Sequence, residues 1–340
     1  MRRRVKKAYA AAGVDIALGN RVKKGLQEKL RSTFGPEVLG RIGGFGGLFR
    51  ADFGGLREPV LVSSVDGVGT KLKVAIALGR HESIAQDLVN HCINDIAVIG
   101  ARPLFFLDYI GAKRLDPIVF AQLISGFTKA CKEGGCALIG GETAQMPDVY
   151  RAGEYDLVGC IVGLVDRQKM LDGSRIVPSD VLIGLPSNGL HTNGFSLARK
   201  ILLGEMRMDL SRKIDGISRP LGEELLRIHR NYQPLLASIP HRLLKGAAHI
   251  TGGGLIDNLP RILPGTCDGL IKTSSWSVPA IFRLIQRGGA IANDEMYEVF
   301  NMGIGMVLVV SKVHAPEVLA LSKGKVIGQV TPGSGKILLN

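Results

Sequence analysis

Two stretches of helical period set between short apolar runs constrain the fold of this chain most tightly. Ile84, Ala85, Leu88, Val89, Cys92, Ile93 and Ile96 recur at the spacing of one helix face, and Gly100 stops the run. Asp116-Pro117 opens a second amphipathic helix that Gly134-Gly135 ends, because proline suits the first helical turn and glycine a C-terminal cap. Around them lie residues 60–65, 104–107, 137–139 and 157–165, short apolar runs that read as buried strands. Helices alternating with strands imply a mixed α/β layer.

At 340 residues the chain is long enough for two domains. Residues 1–56 form a glycine-rich lead-in whose segment 40–47 needs a mobile or tightly turning backbone. Residues 57–170 make the first unit and 171–340 the second, with the polar stretch 166–180 between them. In the second unit we expect a strand over 181–185, helices near 195–203, 221–239 and 278–287, and a strand over 305–310.

The net charge of +13 favours anionic partners, but aromatics make up only 5% of the chain, which disfavours a single-strand nucleic-acid groove. Only Arg2, Arg3, Arg4, Lys6 and Lys7 cluster strongly. The apolar run behind them is too short for an export signal, and no segment suffices for a membrane span, so a soluble cytoplasmic protein without membrane or nucleic-acid partners is expected. Five scattered cysteines, with no Cys-x-x-Cys pair, suggest buried thiols rather than disulfides or zinc.

Three constellations carry chemistry. Asp66-Gly67-Val68-Gly69-Thr70-Lys71 leaves a buried strand; Gly67 and Gly69 free backbone donors, Thr70 adds a hydroxyl and Lys71 a charge, which makes a phosphate cradle or an ordinary glycine turn with a solvated lysine. It is not a Walker A loop. Asp87, His91 and Asp95 share one helix face, either as a solvated stripe or as part of a site. A carboxylate near a helix C-terminus costs about 0.3 to 1 kcal/mol unless a cation sits beside it, and magnesium at Asp95 would answer that cost. Glu142, after another short strand, is a third acidic group for a magnesium site with Asp66 and Asp95, or simply a turn glutamate. In the second unit, Ser187, Asn188, His191, Thr192 and Asn193 form one polar loop, and His249, Thr251, Gly252 and Gly253 another. Both suit anionic substrate, with His191 and His249 as catalytic candidates.

In order along the chain, residues 9–15, 43–47, 66–71, 94–95, 103–109, 140–147, 191–194 and 251–254 resemble the motifs of the phosphoribosylformylglycinamidine cyclo-ligases, the aminoimidazole ribonucleotide synthetases. The resemblance implies two α+β domains with mixed sheets, and a homodimer in which N-terminal sheets join. It also implies ATP-dependent closure of an imidazole ring, with ATP and magnesium as cofactors and a phosphorylated small molecule as substrate. The chain departs from the family pattern at Gln27, where a lysine is expected with Lys23, Lys24 and Lys29 nearby, at Gln145 for glutamate, and at His91 for methionine. The rival readings are another enzyme of the superfamily, such as thiamine-monophosphate kinase, and a basic nucleic-acid-binding protein.

Overall fold

The computed structural model describes residues 25–40 and 43–340. The basic cluster at Arg2 to Lys7, the motif over 9–15, Lys23 and Lys24 lie outside the described residues. After a short helix, α1 (Gln27–Arg31), Leu39 N–H donates to Leu48 O at 2.9 Å and Arg50 N–H to Glu37 O at 2.7 Å.

The first unit is a four-stranded sheet in the order β1-β4-β2-β3, built from β1 (Pro59–Gly67), β2 (Arg102–Ala112), β3 (Ala137–Gln145) and β4 (Tyr155–Asp166). β4 runs antiparallel to β1 and β2, whereas β2 and β3 are parallel. Parallel neighbours need a crossover, which helix α4 (Pro117–Glu133) supplies. The Asp116 carboxylate accepts from the N–H groups of Ile118 and Val119 and so caps α4. Helices α2 (Leu72–Leu78) and α3 (Glu82–Ala97) precede β2, and α3 packs over the sheet. Strand β1 alternates. Ser64 and Asp66 face α3, while Leu61 and Val65 stand 60% and 65% exposed on the opposite face.

The second unit is a six-stranded sheet, order β10-β7-β9-β5-β8-β6, made of β5 (Val181–Pro186), β6 (Gly246–His249), β7 (Cys267–Ile271), β8 (Ile304–Val310), β9 (Lys325–Pro332) and β10 (Ile337–Leu339). β8 is apolar throughout and buried at every residue, as an inner strand covered on both faces must be. Buried side chains of both units, among them Ala75, Leu88, Phe195, Leu221 and Leu225, belong to one continuous core. No described helix is long and apolar enough to cross a membrane.

Two expectations are corrected. The helix expected near 195–203 is α5 (Phe195–Arg199) followed by a π-helical turn, Lys200–Glu205. The expected helix over 221–239 is broken into α6 (Leu221–Leu225) and α7 (Gln233–Ser238). Its middle lies along the polar face of α3, where side chains replace helical hydrogen bonds. Asp87 accepts from His229 N–H at 2.6 Å, Asn90 and Asn94 donate to His229 O and Arg230 O at 2.8 Å each, and Asn94 Oδ1 accepts from Tyr232 N–H at 2.8 Å. Polar side chains of one unit thus satisfy the backbone of the other.

Candidate active site

The seam between the units gathers most of the residues singled out above. β1 delivers Asp66 and α3 delivers Asp87, His91 and Asp95, while the second unit brings His191, Thr192, His229 and His249 against them. His91 Nε2 lies 2.6 Å from Asp66 Oδ2 and 3.8 Å from Asp95 Oδ2, so both carboxylates converge on one imidazole. Asp95 also takes His249 Nδ1 at 2.8 Å and the Ser64 hydroxyl at 3.0 Å. The solvated-stripe reading of the α3 face fails, because Asp87 and His91 are 0% and 4% exposed.

Hydrogen-bond bookkeeping fixes the tautomers. Asp95 holds a proton on His249 Nδ1, which leaves His249 Nε2 to accept from His229 Nε2–H at 2.9 Å. His229 Nδ1 then accepts from Thr192 Oγ1 at 3.2 Å, and Thr192 Oγ1 accepts from His91 Nδ1–H at 2.8 Å. His91 therefore carries protons on both nitrogens. Burial pulls its pKa down, but the hydrogen bond to Asp66 and the charges of Asp95, Asp66 and Asp87 outweigh burial and raise it. Burial likewise pushes Asp66 and Asp95 up, yet their bonds to His91 and His249 hold both below the ordinary carboxylate value. His191 and His229 are driven well below the usual imidazole value by burial and by cationic neighbours, and are neutral.

Lys71 is corrected from its expected role. Its side chain is 0% exposed, its ammonium lies 2.7 Å from Asp87 Oδ2, and it donates to His191 O at 3.0 Å and Arg227 O at 2.7 Å. With three acceptors in hand it is an interdomain tie, not a phosphate ligand on an open loop. Gly67 and Gly69 remain at the β1 exit, Gly69 with a φ of 68°, and Thr70 Oγ1 meets Ser196 Oγ at 2.9 Å across the seam.

The two loops of the second unit come together, as Gly252 packs close to Asn193 Oδ1. Ser187 donates its hydroxyl toward Gly189 O and Asn301 Oδ1, and Asn188 donates from Nδ2 to Ile228 O at 2.6 Å. Thr251 bonds Asn258, which also donates to Gly252 O, and Gly253 has a φ of 91°. His191 sits in the left-handed region at a φ of 62°, stacks on His229 with ring centroids 4.0 Å apart, and keeps a buried Nδ1 that has no hydrogen-bond partner. Holding a non-glycine residue there costs on the order of 1 kcal/mol, which the surrounding contacts must offset.

Glu142 is not brought to Asp66 and Asp95. Register runs from Asp66 through Gly159 and Asp108 to Gly141, whereas Glu142 belongs to the row of Tyr109, Val158 and Gly67. Neighbouring residues of a strand point to opposite faces, so Glu142 leaves the far face, three strands and roughly 14 Å away. At the β3 edge of the sheet it lines a cavity of about 510 Å³ with Gln27 and the glycine loop 43–47, which Phe120 and Ile124 of α4 also wall. Sequence reading missed His229, whose only signal was its place between the polar residues Arg227 and Arg230, inside what looked like a helix.

A family model described as AIR synthase related protein, N-terminal domain, matches residues 55–165, and its C-terminal counterpart matches 177–339. A phosphoribosylformylglycinamidine cyclo-ligase of Citrifermentans bemidjiense is 48% identical over 328 residues, 95% of this chain and 94% of that protein. That of Geobacillus kaustophilus is 48% identical over 335 residues, 97% of each. Among solved structures, thiamine-monophosphate kinase from Stenotrophomonas maltophilia K279a superposes with a TM-score of 0.70 at 17% identity, covering 93% of this chain and 95% of that one. The hydrogenase maturation protein HypE in complex with ATP gives 0.65 at 16% identity over 94% and 90%. At such identities the likeness is one of fold.

Proposed function

The chain belongs to the phosphoribosylformylglycinamidine cyclo-ligase family of AIR synthase-related proteins, and from that premise we propose how its seam performs the family's reaction. The enzyme uses ATP to cyclise formylglycinamidine ribonucleotide to 5-aminoimidazole ribonucleotide in purine biosynthesis. The terminal phosphoryl group of ATP passes to the formyl amide oxygen, the amidine nitrogen attacks the formyl carbon, and the C–O bond breaks to release phosphate. ADP, phosphate and the aminoimidazole are the products. The thiamine-monophosphate kinase alternative has only distant structural likeness behind it.

One observation supports the placement of this chemistry: Asp66 and Asp95 converge on His91 at the partly open edge of a seam whose other wall is the 187–193 and 249–253 loops. Phosphoryl transfer demands positioning and charge neutralisation more than covalent help. The two carboxylates are hard oxygen donors of the type magnesium takes, and their held-down pKa values keep them ionised, so they fit that ion. When bound, magnesium would supply positive charge to the phosphate oxygens. The amides after Gly67 and Gly69 and the Thr70 hydroxyl face phosphate in this reading. Ser187, Asn188, Thr192, Asn193, Thr251, Gly252 and Gly253 hold the substrate's polar groups, and His191 and His249 handle the proton that the attacking nitrogen gives up.

The exposed apolar face of β1, with Leu61 and Val65, supports a homodimer in which the first-unit sheets pack together. A cytoplasmic location completes the reading. Asp66→Asn tests it: ADP release that depends on formylglycinamidine ribonucleotide is expected to vanish while the melting temperature stays close to wild type. Full turnover in that variant overturns the metal assignment.

A further inference from the structure

A glycine turn far from the seam brings two of the five cysteines together. Helix α4 gives way to Gly134 and Gly135, the latter at a φ of 69°. Gly135 N–H donates to Lys132 O at 3.2 Å and Cys136 N–H to Cys131 O at 2.9 Å. This pairing at a helix C-terminus sets the side chain two places past the cap against the one three places before it, here Cys136 against Cys131. Both are free thiols, and both line a cavity of about 360 Å³ bounded by the end of α4, the start of β3 and the segment 32–37. We infer that Cys131 and Cys136 form a modification site at which a hydroperoxide is reduced and an intrachain disulfide is left behind.

The surroundings suit that chemistry. A disulfide needs side chains already aimed at each other, and this turn aims them without help from the rest of the fold. A hydroperoxide is small beside the cavity and reaches the sulfurs without unfolding. Arg102 and Lys132 line the same space against one carboxylate, Glu37, and positive charge steadies a sulfur anion as it attacks. Burial first, then a hydrogen bond with the Cys136 side chain, push the Cys131 thiol well up from its usual value. Cys131 is 0% exposed and Cys136 4%, so Cys136 is the attacking sulfur and Cys131 the one that resolves. Cys92, by contrast, is wholly buried and spends its thiol on Gly159 O at 3.7 Å.

The steps balance. The Cys136 sulfur attacks one peroxide oxygen; the S–O bond forms, the O–O bond breaks, and the thiol proton leaves with the departing oxygen as water when the oxidant is hydrogen peroxide. The Cys131 sulfur then displaces the remaining oxygen from Cys136, and its own proton leaves with that oxygen as a second water. The thiols give up two electrons, and the peroxide takes them. Closure of the bond draws the sulfurs to about 2.05 Å and pulls the start of β3 toward α4. Leu138, two residues past Cys136, donates its N–H to Thr33 Oγ1 at 3.0 Å, the tie that holds the segment after α1 to the sheet. Oxidation therefore strains that tie.

The test uses reduced full-length protein treated with about one equivalent of hydrogen peroxide, blocked with N-ethylmaleimide, digested with trypsin and mapped by mass spectrometry. Trypsin cuts after Lys132, so the link appears as joined peptides. A Cys131–Cys136 link is expected in most chains before Cys92, Cys160 or Cys267 lose their thiols, and dithiothreitol should undo it. Cys131→Ser should leave on Cys136 a sulfenic acid that dimedone traps, whereas Cys136→Ser should leave Cys131 a thiol. Hydrogen exchange at the Leu138 amide should quicken about tenfold in the linked protein and slow again on reduction. Absence of the link from folded wild type overturns the inference, whether or not urea allows it, and so does earlier oxidation of Cys92, Cys160 or Cys267. Sulfenic acid on Cys131 in Cys136→Ser overturns the order of attack, and unchanged exchange at Leu138 overturns the coupling to β3.

Discussion

Replacing Lys71 with methionine decides between the two roles a lysine at the β1 exit could have. The side chain is wholly buried, and its removal leaves Asp87 without its counter-charge in a site where Asp87 is 0% exposed. Breaking a buried ion pair from one side costs about 3 to 5 kcal/mol, more than an average substitution, because the remaining charge is stranded. For a chain of this size that corresponds to a fall in melting temperature of about 4 to 7 °C. The loss also has a pH signature. Burial pushes the Asp87 carboxyl up to about 6, with Lys71 pulling the other way. A carboxyl raised above its unfolded value stabilises the fold when protonated and loses that contribution as pH rises through the folded pKa. Without Lys71 the value climbs further, so the variant should be penalised more near pH 8 than near pH 5. Circular-dichroism melts at both pH values read this out, and Lys71→Met combined with Asp87→Asn, which removes the stranded charge but keeps an acceptor for His229 N–H, should recover much of the stability. An unchanged melting temperature together with a raised KM for ATP would refute the argument and return Lys71 to the phosphates.

Further outcomes can be checked independently. His191 and His229 are held neutral by burial below the unfolded imidazole value of 6.5, so their contribution is present above that pH and is lost as pH falls toward the folded values. Metal-free protein should therefore melt progressively lower as buffers are taken from about pH 7 to about pH 5, and less steeply with His229→Asn. Val65→Asp, at a 65% exposed site on the uncovered β1 face, is expected to give monomers by analytical ultracentrifugation where wild type gives dimers. Gly254→Ala places a Cβ 1.8 Å from Tyr297 O at a φ of 57° and should cost more than about 4 kcal/mol, whereas Gly135→Ala, at a φ of 69° with open space around it, should cost about 1 kcal/mol in urea titrations.

The first unit was legible in the sequence because its periodicities are unmixed. The strand over 60–65, the helix through Ile84 and Ile96, and the Asp116-Pro117 helix start all stand in the structure as β1, α3 and α4. The break between α6 and α7 was not legible, because its cause lies elsewhere in the chain: Asp87, Asn90 and Asn94 on α3 bind the backbone around His229. Similarly, Lys71 read as a cradle lysine since local spacing cannot reveal an acceptor sixteen residues on, nor the carbonyls of His191 and Arg227. Glu142 was grouped with Asp66 because both follow short strands, but register, which only pairing sets, turns them to opposite faces. Asp66 and the two polar loops could be singled out because each follows an apolar run at the end of a strand, and Asp95 because a carboxylate near the C-terminus of α3 is out of place without a cation.

The ammonium of Lys71 lodged against two carbonyls of the other half has a bearing on how this enzyme can be divided. A fragment ending after β4 would present to water a lysine–aspartate pair and an asparagine ladder shaped to receive a foreign backbone. Its complement would carry a ribbon around His229 with nothing to shape it. Such pieces, co-expressed, should find each other by that polar template, and chemistry should return only as the seam re-forms.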